Sequence, residues 1–257
     1  MRMTEIAFNY CSKAMSRYVS VQMLLPFDAF HPDRCPPEPY KTLYFLNGYL
    51  ANARQILSTI NLSAYAQQYG FAVVIPDGEN SFYVDQPKRN ALYETYVARE
   101  LVAVTRKLFP LSKQRENTFI GGISMGGFGA LMLGARNLGT FSKIIALSPA
   151  ARIYDLLEQG CLPSEEIANI FGSKENYLRK YDPLSLLKRA KSEGKQLPDI
   201  FLCCGTEDPL TYHVSCSLKN ELRTADIPVE YREGPGVHDS FYWNRALPDA
   251  IQFLMNR

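Results

Sequence analysis

A single serine lies among five glycines in the stretch GGISMGGFG, residues 121–129, between an apolar run of strand character and one of helix character. Glycine inside a strand or helix costs roughly 0.5–1 kcal/mol relative to alanine, so crowding it here calls for a steric reason. Ser124 fits Gly-x-Ser-x-Gly, with Gly122 and Gly126 two residues away on either side. At a sharp strand-to-helix turn the two arms nearly touch, and those two positions have no room for a Cβ. Gly127 and Gly129 are expected to let the following helix approach the sheet. The turn also thrusts the hydroxyl outward at a helix N-terminus, where free N–H groups and the dipole favour a developing negative charge. A phosphate-binding loop is the rival explanation of a glycine cluster. It fails, because no G-x-G-x-x-G fits and no Gly-Lys-Ser/Thr follows.

The elbow requires a strand before it and a helix after it, and the rest of the chain supplies the same alternation. Strands are predicted at 6–10, 18–25, 42–46, 71–75, 118–121, 143–147, 200–204 and 229–232. The first two leave no room for a helix between them and read as an antiparallel start. Several others are short, continuous apolar runs, as expected of strands covered on both faces. Between them lie helical patterns, the clearest over 90–109. There Leu92, Tyr96, Val97, Leu101, Val104 and Leu108 make one stripe, ended by Pro110. Alternating strands and helices predict a mostly parallel sheet with helices on both faces. The longest gap, 148–199, predicts an insertion over the sheet's edge rather than a second domain.

A nucleophilic serine needs a base, and the base needs an orienting carboxylate. The chain has three histidines. His31 precedes the serine, in a proline-rich loop. His213 falls at the start of a helical stretch and reads as a surface residue. His238, in EGPGVHDSFYW after the last strand, sits in a Gly/Pro-marked loop where catalytic groups collect. For the acid, Glu207 and Asp208 both lie just past the strand at 200–204, in the right chain order, and the residues alone leave both open. Asp239 is the sequence neighbour of His238, and neighbours in an extended loop point apart. The oxyanion donors are expected to be the N–H groups of Met125, the residue after the nucleophile, and of Tyr49, in the loop after the third strand.

Composition excludes several other function classes. A net charge of +2 with no basic stripe argues against nucleic acid and anionic membranes as partners. No apolar run approaches the length of a membrane span, and the N-terminal segment lacks the continuous apolar core of a signal peptide. A cytoplasmic location is the resulting expectation. The six cysteines contain no C-x-x-C pair and the histidines show no ligand spacing, so no metal and no cofactor are expected. Cys203 and Cys204, adjacent in an apolar run, should point to opposite faces of a strand.

The segments YCSKAMSRYVSVQMLLP, KTLYFLNGYLAN, VVIPDGENSFYVD, LFPLSKQRENTFIGGISMGGFGAL, FSKIIALSPA, CCGTEDPLTY and EGPGVHDSFYW carry a family likeness nearly end to end. The chain resembles the esterase D-like branch of the α/β-hydrolases, above all bacterial tributyrin esterases and related feruloyl or acetyl esterases. The resemblance implies an α/β-hydrolase fold in one domain over 1–257: a mostly parallel eight-stranded sheet with a small cap-like insertion, 148–199, after the sixth strand. It implies Ser124 as nucleophile, Asp208 rather than Glu207 as acid, His238 as base, and oxyanion donors at Tyr49 and Met125. The expected activity is hydrolysis of short-chain acyl esters through an acyl-enzyme. S-formylglutathione or feruloyl and acetylxylan esters are alternative substrates, and a non-catalytic binding module or an acyltransferase are alternative functions. Phe82, Tyr83 and Tyr49 are expected to supply aromatic walls for the substrate. The partner is a small-molecule ester, and a homo-oligomer is left open. Two positions depart from the family pattern. Asn47 stands where the family usually has His before Gly, and Ser240 stands where it often has Trp.

Overall fold

The computed structural model describes residues 2–256. The strands are β1 (Thr4–Ser12), β2 (Arg17–Leu25), β3 (Thr42–Leu46), β4 (Ala72–Pro76), β5 (Asp85–Gln86), β6 (Ala91–Leu92), β7 (Thr118–Ile123), β8 (Lys143–Leu147), β9 (Asp199–Gly205) and β10 (Val229–Gly234). Eight of them form one sheet, in the order β1-β2-β4-β3-β7-β8-β9-β10. The β1/β2 and β2/β4 pairs are antiparallel and the remaining pairs of this sheet are parallel. Each predicted strand is present, with ends that differ by a residue or two. The hairpin of β5 and β6 was not foreseen, since two-residue strands leave no periodicity to read.

The central strands β3, β4 and β7 are buried at every position, which is why they read as continuous apolar runs. Alternate residues serve two layers. Leu43, Phe45, Val73, Ile75, Phe119 and Ile145 pack with helices Ala53–Thr59, Leu62–Tyr69 and Ser240–Met255. Tyr44, Leu46, Val74, Ile120 and Ile144 pack with helices Met125–Arg136 and Tyr212–Thr224 on the other face. The chain steps from β3 to β4 in one direction, then resumes with β7 on β3's other side, with Leu46 opposite Gly122. The loops leaving β3 and β7 therefore diverge and open a crevice at the carboxyl ends of the strands.

Three expectations need correction. The helix expected over 90–109 begins at Tyr93 and contains a π-turn at Tyr96–Glu100. The wider turn rotates the inward face, so Val102 and Thr105 are buried while Leu108 is exposed. The 148–199 segment forms the helices Ile153–Glu158, Ser164–Phe171, Lys174–Lys180 and Pro183–Ser192. It packs not over a sheet edge but on helix Met125–Arg136, through Ile153, Phe171, Tyr177 and Leu187, because its apolar stripes share that core. Finally, Gly129 makes room for the Tyr83 ring rather than for the sheet. No helix among the described residues is long and apolar enough to cross a membrane.

Candidate active site

Ser124 lies between β7 and helix Met125–Arg136 with φ 54° and ψ −118°. This strained backbone is held from both sides. Ser124 N–H donates to Leu147 O at 2.9 Å, and Ser124 O accepts from Ala150 N–H at 3.0 Å and Phe128 N–H at 3.1 Å. A Cβ on Gly122 would stand 2.5 Å from the Gly126 carbonyl, and one on Gly126 would strike the backbone of Leu46 and Asn47. The glycines thus allow the β3 loop, the end of β7 and the helix to meet at van der Waals distance around the serine.

His238 Nε2 is 2.9 Å from Ser124 Oγ, and His238 Nδ1 is 2.7 Å from Asp208 Oδ2. The structure therefore brings together three residues far apart in sequence. His31 and His213 are exposed and take no part. Glu207 is also exposed, with its N–H tied to Gly236 O at 3.0 Å, whereas Asp208 is 3% exposed and faces the imidazole. Asp239 turns away from His238 and caps the last helix, its Oδ1 accepting from Tyr242 N–H at 2.9 Å.

Burial opposes ionisation of Asp208, but hydrogen bonds from His238 and Thr211, with the attraction of the imidazole, outweigh it. They hold its pKa down to about 2, from an ordinary 3.8. A carboxylate with a depressed folded pKa adds stability above its unfolded pKa, and that stability is lost as the pH falls through the folded value. The stabilisation amounts to about 2 kcal/mol, lost between about pH 4 and pH 2. In urea unfolding, the stability gap between wild type and Asp208→Asn should hold steady near neutral pH and shrink across that window. A gap independent of pH would show that the carboxylate is not held ionised in this way.

Met125 is the first residue of its helix, so its N–H has no acceptor within the helix. Across the crevice, a Cβ on Gly48 would stand 3.4 Å from Ser124 Cβ, which places the β3 loop directly against Ser124. Asn47, wholly buried, holds that loop. Its Nδ2 donates to Gly48 O at 2.9 Å and Ala51 O at 2.8 Å, and its Oδ1 accepts from Gly78 N–H at 2.9 Å. Tyr49 sends its hydroxyl away from the serine, to Glu166 Oε2 at 2.6 Å, and this contact pushes the phenol up to about 12.

Phe82 and Tyr83, expected as aromatic walls, are buried at 1% and 0% exposure and do not line the cleft. Two successive left-handed residues, φ 51° and 58°, turn both rings inward. Tyr83 Oη then lies 3.0 Å from both Asn47 O and Asn47 Oδ1, and Phe82 packs on Phe128 and Phe171. Positive φ is uncommon outside glycine, and nothing in the sequence announced it here. The cleft over Ser124 has a volume of about 350 Å³; Tyr49, the third expected wall, does line it, together with Leu50, Ile56, Thr59, Ile123 and Trp243. Trp243 stands edge-on to His238, 5.2 Å between ring centroids. Two supports of the site were missed from sequence, Trp243 and Thr211. For the latter the signal was only the turn itself: an Asp followed by Pro ahead of a helical stretch accepts from backbone N–H groups two or three residues on, which brings residue 211 to the carboxylate.

The Esterase family model matches residues 12–254. An acetyl esterase from Caldicellulosiruptor saccharolyticus is 32% identical over 268 residues, covering 98% of each chain. Among solved structures, FphF, a fluorophosphonate-binding serine hydrolase of Staphylococcus aureus, superimposes with a TM-score of 0.89 at 27% identity, covering 100% of both chains. An S-formylglutathione hydrolase of Staphylococcus aureus, FrmB, gives a TM-score of 0.87 at 28% identity, again covering 100% of both chains.

Proposed function

Because this chain belongs to the esterase D-like Esterase family and has the α/β-hydrolase fold, we infer that it is a serine carboxylic-ester hydrolase acting on short-chain acyl esters. The observation that carries the mechanism is the continuous contact from Ser124 Oγ to His238 Nε2 and from His238 Nδ1 to Asp208 Oδ2. Ser124 Oγ attacks the ester carbonyl while His238 Nε2 takes its proton. Asp208 keeps the imidazole oriented and stabilises the imidazolium. The negative charge on the former carbonyl oxygen falls between the N–H groups of Met125 and Tyr49, fixed before the reaction begins. Collapse of the intermediate expels the alcohol, protonated by His238, and leaves Ser124 acylated. Water, deprotonated by His238, then releases the acid and restores the hydroxyl.

A small acyl group suits a cleft of about 350 Å³, near the lower end of ligand-pocket sizes. Of the three expected aromatic walls, Tyr49 alone lines the cleft, which weakens the argument for a feruloyl substrate. The 148–199 helices share their core with helix Met125–Arg136, which favours one catalytic domain over two. Six unpaired cysteines agree with a reducing, cytoplasmic setting.

The test is a panel of p-nitrophenyl esters of increasing acyl length, with acetylxylan, methyl ferulate and S-formylglutathione. The highest kcat/KM is expected among the acetyl to butyryl esters, with a decline as the acyl chain grows. A higher value for S-formylglutathione than for any ester would replace this reading with a thioesterase. Absence of turnover on the whole panel would favour a binding module.

A further inference from the structure

Asp208 ends a turn from β9 into helix Tyr212–Thr224, and its two oxygens have different partners. Oδ1 accepts from the backbone N–H groups of Leu210 and Thr211, both at 2.9 Å. Oδ2 faces His238 Nδ1 at 2.7 Å and accepts from the hydroxyl of Thr211 at 2.6 Å. Thr211 is wholly buried, and its Oγ1 also lies 3.4 Å from His238 Nδ1. One more polar group reaches this cluster from β9: Cys204 Sγ, 3.4 Å from Thr211 Oγ1 and 3.6 Å from Asp208 Oδ2.

The placement of protons follows from counting donors. A threonine hydroxyl has one proton, and an ionised carboxylate can only accept. The 2.6 Å contact commits the Thr211 proton to Asp208. Towards His238 Nδ1, Thr211 therefore presents lone pairs alone. Cys204 adds no competing base, because burial pushes its thiol up to about 11 and it remains S–H. Both oxygens near Nδ1 are acceptors, so the ring proton belongs on Nδ1. Nε2 then keeps its lone pair for the proton of Ser124.

We propose that Thr211 is a positioning residue whose hydroxyl locks the rotation of the Asp208 carboxylate and, through it, the Nδ1–H tautomer of His238. This role rests on the reading of Ser124, His238 and Asp208 given above. The backbone N–H of Thr211 holds Oδ1 whatever side chain stands at 211. The hydroxyl alone therefore separates a role in catalysis from a role in capping the turn.

Thr211→Val keeps the shape and removes the hydroxyl, and Thr211→Ser restores it. Hydrogen bonds to a charged group are strong enough that kcat in Thr211→Val should fall roughly 10–100-fold, with KM close to wild type. Thr211→Ser should recover most of that loss. Added to Asp208→Asn, Thr211→Val should cost little more, since both act through one carboxylate. Thermal unfolding checks that the variants fold, and Thr211→Ala replaces the valine variant if it does not. A wild-type kcat in Thr211→Val, or an equal loss in the serine and valine variants, would overturn the proposal. Ser124→Ala run alongside separates the two levels: turnover surviving there would overturn the underlying assignment of the nucleophile.

Discussion

Replacing Ser124 with alanine is expected to lower kcat by roughly 10⁴–10⁶ while leaving the fold intact. The hydroxyl makes the hydrogen-bond contact with His238, at 2.9 Å. The backbone bonds that hold the turn, to Leu147, Phe128 and Ala150, survive in alanine. The left-handed φ of 54° strains alanine as it does serine, so the thermal midpoint should move little. A serine-directed phosphonate should label wild type at this residue and leave the variant unlabelled. Turnover near the wild-type rate in the variant would reject the acyl-enzyme mechanism.

The second large effect separates two adjacent carboxylates. Asp208→Asn should cost on the order of 10⁴ in kcat. An asparagine amide can turn its NH₂ towards Nδ1, which then becomes the acceptor. The ring proton moves to Nε2, which then faces Ser124 Oγ as a donor and can no longer accept its proton. Glu207→Gln should stay close to wild type, because that side chain is exposed and the Glu207 backbone N–H, bonded to Gly236 O, is unchanged. Steady-state kcat on a p-nitrophenyl acetate assay decides the ranking. The reverse order would show that the carboxylate on His238 in solution is Glu207.

The departure at Asn47 illustrates how a substitution can keep a function by different contacts. An imidazole offers two ring nitrogens, whereas the Asn47 amide makes three hydrogen bonds to backbone around the loop and stands 3.0 Å from Tyr83 Oη. The buried Tyr83, unsuited to bind substrate, is thereby part of the support under the β3 loop. At the second departure, Ser240 leaves the His238 ring to Trp243, one helical turn later.

The sequence by itself determined the eight strands of the main sheet and the tight turn at Ser124. Continuous apolar runs specify strands covered on both faces, and Gly122 and Gly126 around Ser124 specify a turn too tight for any Cβ. Those are local properties, set by what neighbouring residues allow one another, so they are legible in a single chain. Chain order and loop signals were enough to single out His238. The residues alone left Glu207 and Asp208 equal, because two successive side chains in a turn differ only in which way the turn faces. That direction is set when the loops after β9 and β10 meet, through Thr206 N–H on Gly234 O and Glu207 N–H on Gly236 O. Tertiary structure also decided that Tyr83 turns inward onto Asn47, that Phe82 packs on Phe128 and Phe171, and that the His238 ring arrives beside Asp208 and Thr211. Each depends on where a second segment, distant in sequence, closes against the first, and no periodicity within either segment encodes that contact.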